Sequence, residues 1–201
     1  LNSAFKRIRN LRRRLGMKTI KNPRSRDLNY SAQQSAEKAL RLLKKHQDWS
    51  YPNQGSRLNV VRSSSEEAFS HVIQTRGIGP NPRASSYDFL IDALQNYFEI
   101  RIIEQIDNYP DQSEHLVIVL ENYTLPGMDF DKSLDQTVLE WAKNFSLGKV
   151  TVIALRDSFN LPETGPLTTL CTYSFREESA IAAAKWLAGL VKNIQHGDAF
   201  K

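Results

Sequence analysis

The sequence predicts an α/β fold, a three-layer sandwich with a mostly parallel sheet, preceded by an N-terminal helical extension. Three observations lead there. Short apolar runs such as Leu116–Leu120 and, Thr151 apart, Val150–Leu155 have the length and composition of strands buried on both faces. Amphipathic stretches with apolar residues three and four apart separate them, as crossover helices do between parallel strands. The charge is also divided: residues 1–45 hold fourteen Lys or Arg against Asp27 and Glu37, a balance of +12, and residues 46–201 balance at −7. A basic front on an acidic body implies two segments with different jobs.

Taken in order, Leu1, Ala4, Phe5, Ile8, Leu11 and Leu15 recur at helical spacing, and Gly16 sits where a left-handed cap would end the helix. Lys21–Asn29 is polar. Ser31 with Gln34 has the spacing of a capping box, and the helix it would open carries Ala36, Ala39, Leu40 and Leu43 on one side and runs out by His46. The expected organisation is a basic helical segment over residues 1–48, a linker over 49–56 containing Pro52, Asn53 and Gly55, and the α/β sandwich over 57–201. Within the sandwich, Leu58–Val61 is a short strand and Gly77–Ser86 a loop. Ser85–Phe98 is a helix capped by Ser85, and Glu99–Ile106 and Leu116–Leu120 are strands. Leu134–Phe145 is a helix opened by Ser133, and Val150–Leu155 and Leu170–Tyr173 are strands. Ser174 and Glu177 have capping-box spacing before a last helix whose apolar stripe is Ala180, Ile181, Ala184, Leu187, Ala188 and Val191.

Composition excludes several classes. Nine Gly and eight Pro in 201 residues are ordinary, which removes collagen-like and broadly disordered chains. No apolar run reaches the roughly 18–20 residues of a membrane helix. One cysteine forms no internal disulfide, and Cys171, inside an apolar strand, is expected as a buried structural thiol. The N-terminus lacks the apolar centre and small-residue cleavage site of a secretory signal. A soluble setting is expected, the cytoplasm favoured over export. Because the chain begins at Leu1, a fragment or processed product is expected.

Most catalytic signatures are missing. There is no glycine-rich run leading to Lys-Ser/Thr for phosphate, and Pro82 stands where Gly77 and Gly79 would need a third glycine to make a dinucleotide loop. No Gly-x-Ser-x-Gly elbow occurs. His46, His71, His115 and His196 are far apart with no ligand partner at metal spacing, so neither metal nor cofactor is expected. The polar residues that end strands remain. In an open α/β sheet, ligands bind beyond the carboxyl ends of the strands. Glu121, Arg156, Asp157, Tyr173 and Ser174 occupy such ends, as a rim facing a sugar or a neighbouring domain. The plainer reading of the same residues is a local Arg156–Asp157 ion pair and a helix cap at Ser174.

The segment Val150–Phe175, VTVIALRDSFNLPETGPLTTLCTYSF, resembles the second-domain signature of family-3 glycoside hydrolases. There a strand ending Ala-Leu-Arg-(Asp/Asn)-x-(Tyr/Phe)-(Asp/Asn)-Leu precedes a short strand ending Thr-Tyr-Ser and an Ala-rich helix. SAFKRIRNLRRRLGM is similar to the helix that closes that family's barrel, and YSAQQSAEKALRLLKKH to the helix leading into its second domain. The subgroup most alike is the bacterial β-N-acetylhexosaminidases. The resemblance implies a C-terminal, non-catalytic part of a glycosidase, with a catalytic barrel as partner and a carbohydrate as that enzyme's substrate. It implies no catalytic residue here: the barrel's Lys-His-Phe-Pro-Gly-His-Gly loop is missing, Lys45-His46 being followed by Gln47 and Asp48. Glu121 or Glu163 could imitate the second-domain acid/base of related β-glucosidases, but the Glu-Gly-x-Asp-Arg-like surroundings are lacking. The Gly-x-Leu-Pro-Val after the final helix is also replaced, by Gln195–Lys201.

Two other classes share some features. A nucleic-acid binder could use Lys6–Arg26 as an electrostatic arm, but no aromatic stacking platform accompanies the arginines, and nucleic acid is not an expected partner. A degenerate P-loop ATPase would explain the acid-ended strand LVIVLEN, yet it lacks the phosphate loop.

Overall fold

A computed structural model describes residues 25–63, 84–104, 106, 111–121, 133–155, 164–174, 176–192 and 194–196. The expected helix over residues 1–15, Gly16, most of the 77–86 loop, and Glu163 lie outside the described residues.

The described elements, in chain order, are α1 (Ser25–Ala39), β1 (Arg41–Lys44), β2 (Arg57–Arg62), α2 (Ser86–Leu94), β3 (Glu99–Ile103), β4 (His115–Leu120), α3 (Ser133–Ala142), β5 (Val150–Ala154), β6 (Thr168–Cys171), α4 (Glu177–Leu187) and β7 (Gln195–His196). Seven strands form one sheet in the order β3-β2-β4-β5-β6-β1-β7. Every pairing from β3 through β6 is parallel, β1 runs antiparallel to β6, and β7 is parallel to β1. This is the mostly parallel three-layer arrangement that the apolar runs imply.

Alternation along the central strands builds two cores. Leu58, Val60, Val117, Val119, Ile153, Leu155 and Leu170 face one side, where Leu90, Leu94, Ala184 and Leu187 of α2 and α4 and Ala36 of α1 cover them. Val61, Leu116, Ile118, Leu120, Val150 and Val152 face the other, against Val138, Leu139 and Ala142 of α3. Burial on both faces explains why these strands read as unbroken apolar runs.

Three sequence expectations are corrected. The helix expected from Ser31 begins at Ser25, leaving Ser31 and Gln34 inside it, so their box spacing caps nothing. That helix ends at Ala39, not near His46: Arg41 Nη1 donates to the carbonyls of Lys38 at 2.7 Å and Leu40 at 2.9 Å, satisfying acceptors at its C-terminal end. The next residues form β1, with buried Leu40 and Leu42 following the two-residue period of a strand. The chain divides into two compact units, residues 1–32 and 33–201. In the first unit, residues 25–32 are helical. Finally, α4 has Arg176 as its N-cap with no side-chain cap bond, so Ser174 does not cap it.

The 49–56 segment has no helix or strand but is anchored. Trp49 stacks on Trp186 at 5.0 Å and donates to Thr151 Oγ1 at 2.9 Å, and Gln54 Nε2 donates to the Ala188 carbonyl at 3.0 Å. Gly189, at φ +75, ends α4 in a Schellman turn: its N–H reaches the Trp186 carbonyl and that of Leu190 the Lys185 carbonyl. The expected Ser85 cap is present as a full box, Asp88 N–H donating to Ser85 Oγ at 3.0 Å and Ser85 N–H to Asp88 Oδ2 at 2.9 Å.

Candidate functional site at the carboxyl edge of the sheet

Because β2, β4, β5 and β6 run parallel, their carboxyl ends share one edge. On the face covered by α2 and α4, that edge carries Arg62 after Val60, Glu121 after Val119, Leu155 after Ile153, and Thr172 after Leu170. Each continues the alternation that buries its predecessor.

Glu121 is the hub. Its Oε2 accepts from Arg62 Nε at 2.9 Å and Nη2 at 2.8 Å, and its Oε1 accepts the Tyr87 backbone N–H at 2.9 Å. The Tyr87 donor lies in the first turn of α2, where unpaired N–H groups and the helix dipole favour an anion. The guanidinium lies 4.7 Å from the centre of the Tyr87 ring, a cation–π contact. The carboxylate has no exposure and the Arg62 side chain 18%. Burial pushes the Tyr87 phenol up to about 12, against the opposing pull of Arg62, so it stays a neutral hydroxyl at physiological pH.

This arrangement limits the chemistry. A general acid or base must reach the proton it moves. Glu121 is sealed from solvent and bound on both oxygens, so it holds Arg62 and the start of α2 in place and presents no carboxylate to a ligand. The sequence placed Glu121 at a strand end, and the structure turns it inward.

Two strands along, the other rim residues form a tight turn. The N–H of Thr172 donates to the Ala154 carbonyl at 3.0 Å, and its hydroxyl donates to Ser174 O at 2.8 Å, with Ala154 O 3.3 Å away. Ser174 Oγ accepts the Arg176 N–H at 3.2 Å. Between them Tyr173 has φ 54 and is 40% exposed. Glu121 and Tyr173 thus share one edge, two strand spacings apart, about 10 Å. Arg156 and Asp157 lie outside the described residues. Sequence reasoning missed Arg62, Tyr87 and Thr172. Arg62 was findable, being a polar residue closing an apolar strand as Glu121 does; Tyr87 enters through its backbone, which side-chain pattern does not reveal.

The amino edge of the sheet carries a second polar group. Arg57 pairs with Glu99 at 3.1 Å and Glu114 at 3.2 Å, and Asn59 Nδ2 donates to Glu114 Oε2 at 2.8 Å. These contacts tie β2 to β3 and to the start of β4. His115 sits beside them, and burial, with Lys149 nearby, holds its imidazole down at about 4, so it is neutral. The His46 imidazole accepts the Asp48 N–H at 3.3 Å, 3.9 Å from the Asp48 carboxylate, and His196 is exposed in β7. Among the described residues no three His, Cys, Asp or Glu side chains converge as metal ligands, and no helix is long and apolar enough to cross a membrane. Cys171 is buried in β6.

No family model matches the sequence, and no curated protein matches it. Solved structures match in fold. The β-glucoside phosphorylase BglX bound to 2FGlc superposes with a TM-score of 0.55 at 11% identity, over 88% of this chain and 33% of that one. A second structure of the β-glucoside phosphorylase BglX gives 0.55 at 12%, over 83% and 30%. A fungal multi-domain GH3 β-N-acetylglucosaminidase gives 0.50 at 12%, over 83% and 19%. The chain therefore spans a third or less of the length of these proteins. At such identities the likeness is one of fold: nearly all of this chain takes a shape found within larger carbohydrate-active enzymes.

Proposed function

We propose that this chain is the non-catalytic α/β module of a family-3 glycoside hydrolase, of the β-N-acetylhexosaminidase or β-glucosidase kind. In this reading the module packs on a catalytic barrel and walls its sugar site with the carboxyl edge of the sheet. The basic N-terminal segment is the arm joining it to the barrel.

The observation that carries the reading is the state of Glu121. The central strand-end carboxylate is locked by Arg62 and Tyr87, so the edge offers shape and hydrogen-bonding surface, and the bond-breaking acids belong to another domain. The fold shared with part of two carbohydrate-active enzymes supports it, as do the motifs in Val150–Phe175. The other rim candidates, Arg156, Asp157, Tyr173 and Ser174, are proposed as contacts to sugar or barrel.

The test is a glycosidase assay with an aryl N-acetyl-β-glucosaminide and an aryl β-glucoside. The pure 201-residue chain should give no turnover. Added to the barrel domain of the same gene product, it should raise that domain's turnover. Hydrolysis by the chain alone, abolished by Glu121→Gln, would show that the carboxylate acts directly and overturn the proposal.

A further inference from the structure

We propose that the groove between α2 and α4 is a docking site for a cationic amphipathic helix of a partner protein. The proposal goes beyond the sugar-wall reading and does not depend on it, since the groove lies on the helical layer and uses none of the rim residues.

Phe89 and Ala93 of α2, Tyr97 just past its end, and Ile181 of α4 line a cavity of about 290 Å³. Phe89, Ala93 and Tyr97 follow one another at intervals of four, which sets them in one row. Phe89, Tyr97 and Ile181 are partly buried and pack on the core beneath, so each still presents apolar surface to the groove. The walls are fixed before any ligand arrives. Ser85 and Asp88 box the start of α2, and Asn96 Nδ2 holds its end by donating to the carbonyls of Asp92 at 3.1 Å and Ala93 at 3.2 Å. The Tyr97 carbonyl takes the Gly55 N–H at 2.7 Å. A preset groove lowers the ordering cost of binding.

Size and charge define the occupant. Pockets that enclose a whole small molecule run from roughly 300 to 1,000 Å³, so this one, at about 290 Å³, takes a few side chains of a larger partner. A row of this spacing matches the anchors that an amphipathic helix sets three and four residues apart. The polar rim is acidic. Asp92 and Glu177 border the groove, both are exposed, and among the described residues neither joins an ion pair. Asp88, one turn before Asp92, and Glu178 carry the same sign, and Arg176 before α4 offsets one of the four. No lysine or arginine among the described residues lines the groove. Residues 46–201 balance at −7, so the long-range field has that sign too. An apolar floor with an acidic rim selects an apolar stripe flanked by Lys or Arg, and repels polyanions.

The test follows the fluorescence anisotropy of a labelled Leu/Lys peptide, about four helical turns long with its leucines on one face, titrated with the full chain. A Leu/Glu counterpart and a scrambled Leu/Lys peptide with no apolar face are the controls. The Leu/Lys helix should bind and weaken as salt rises, with both controls unbound. Asp92→Asn together with Glu177→Gln should weaken it about two- to tenfold and flatten the salt dependence. Ile181→Gln, which removes an anchor, should weaken it about five- to tenfold with the salt dependence kept. Melting curves check that each variant folds, and the double charge variant, at two exposed positions, decides the matter if Ile181→Gln does not. Equal binding of the scrambled peptide would reduce the attraction to net charge and overturn the groove, as would unchanged affinity in the charge variant or no binding by the native chain. Sedimentation showing a dimer of the native chain that Ile181→Gln dissociates would make a second copy the occupant and overturn the partner helix.

Discussion

Removing Arg62 tests whether the carboxyl edge is organised around a buried ion pair. In the Arg62→Ala protein the Glu121 carboxylate, with no exposure of its own, would lose both guanidinium contacts to Oε2 while keeping the Tyr87 N–H at 2.9 Å. Stripping one partner from a buried pair typically costs about 3–5 kcal/mol, because the remaining charge stays desolvated. For a domain of this size each kcal/mol moves the melting temperature by about 2–4 °C, so a fall of roughly 6–20 °C is expected. Glu121→Gln should be milder, about 1–3 kcal/mol, since the amide oxygen can still take the Tyr87 N–H and Arg62 is 18% exposed and can turn to water. The order of the two losses carries the reasoning. Calorimetric or fluorescence melts read it, using Trp49 and Trp186, stacked at 5.0 Å, as the intrinsic probe. If Arg62→Ala melted within a degree or two of the native chain, Glu121 would have water as a partner, and the sealed hub would be wrong.

Two further predictions concern the opposite edge and its neighbours. A Cβ on Gly148 would stand 2.7 Å from the Asp48 backbone carbonyl oxygen, and the Ser50 N–H to Gly148 O bond of 3.2 Å straps the two segments together. Gly148→Ala should therefore lower the urea midpoint, by about 1–3 kcal/mol of stability, unless the 48–50 strap lifts away. His115 titrates at about 4 in the fold against 6.5 for the ordinary imidazole, so the unfolded chain binds the extra proton first. Stability should fall as the pH drops from about 6.5 towards 4 and level off below. The ceiling of about 3 kcal/mol reduces to roughly 1–2 for a group only partly screened from water. Urea titrations of the native chain and His115→Gln across that window should diverge at the acid end, with the variant the flatter; parallel curves would exclude this histidine as the source.

How far the sequence could be read depended on how many residues carried each signal. The central strands were legible because burial on both faces makes nearly every residue apolar, as in Val117–Leu120 and, Thr151 apart, Val150–Ala154. The Ser85 cap was legible because its partner lies three residues on, within the reach of local pattern. β1 was not. Its four residues continue the leucine spacing of the helix before them, and they are extended because β6 offers an antiparallel edge more than a hundred residues away in the chain. β7, two exposed residues long, has no pattern to detect. The Ser174–Glu177 spacing misled for a related reason: a box is a local signal, and the Thr172 hydroxyl had already claimed the Ser174 carbonyl for the turn.

The same division holds for the site. Strand-end position follows from the run of apolar residues before it, so Glu121, Tyr173 and Ser174 could be named from composition and order alone. Which way each side chain works is a matter of partners brought from elsewhere. Glu121 turns inward because Arg62, fifty-nine residues earlier, and the Tyr87 N–H, thirty-four earlier, meet it there. Tyr173 takes its left-handed backbone beside Thr172, which is tied to Ala154 of β5. Fold class, strand order of appearance and the polar ends of the strands were thus set by local chemistry written along the chain. The charge balance of the edge, the locked carboxylate and the left-handed tyrosine were decided only when the sheet brought distant residues within hydrogen-bonding distance, because such contacts depend on the register between strands and not on the spacing within them.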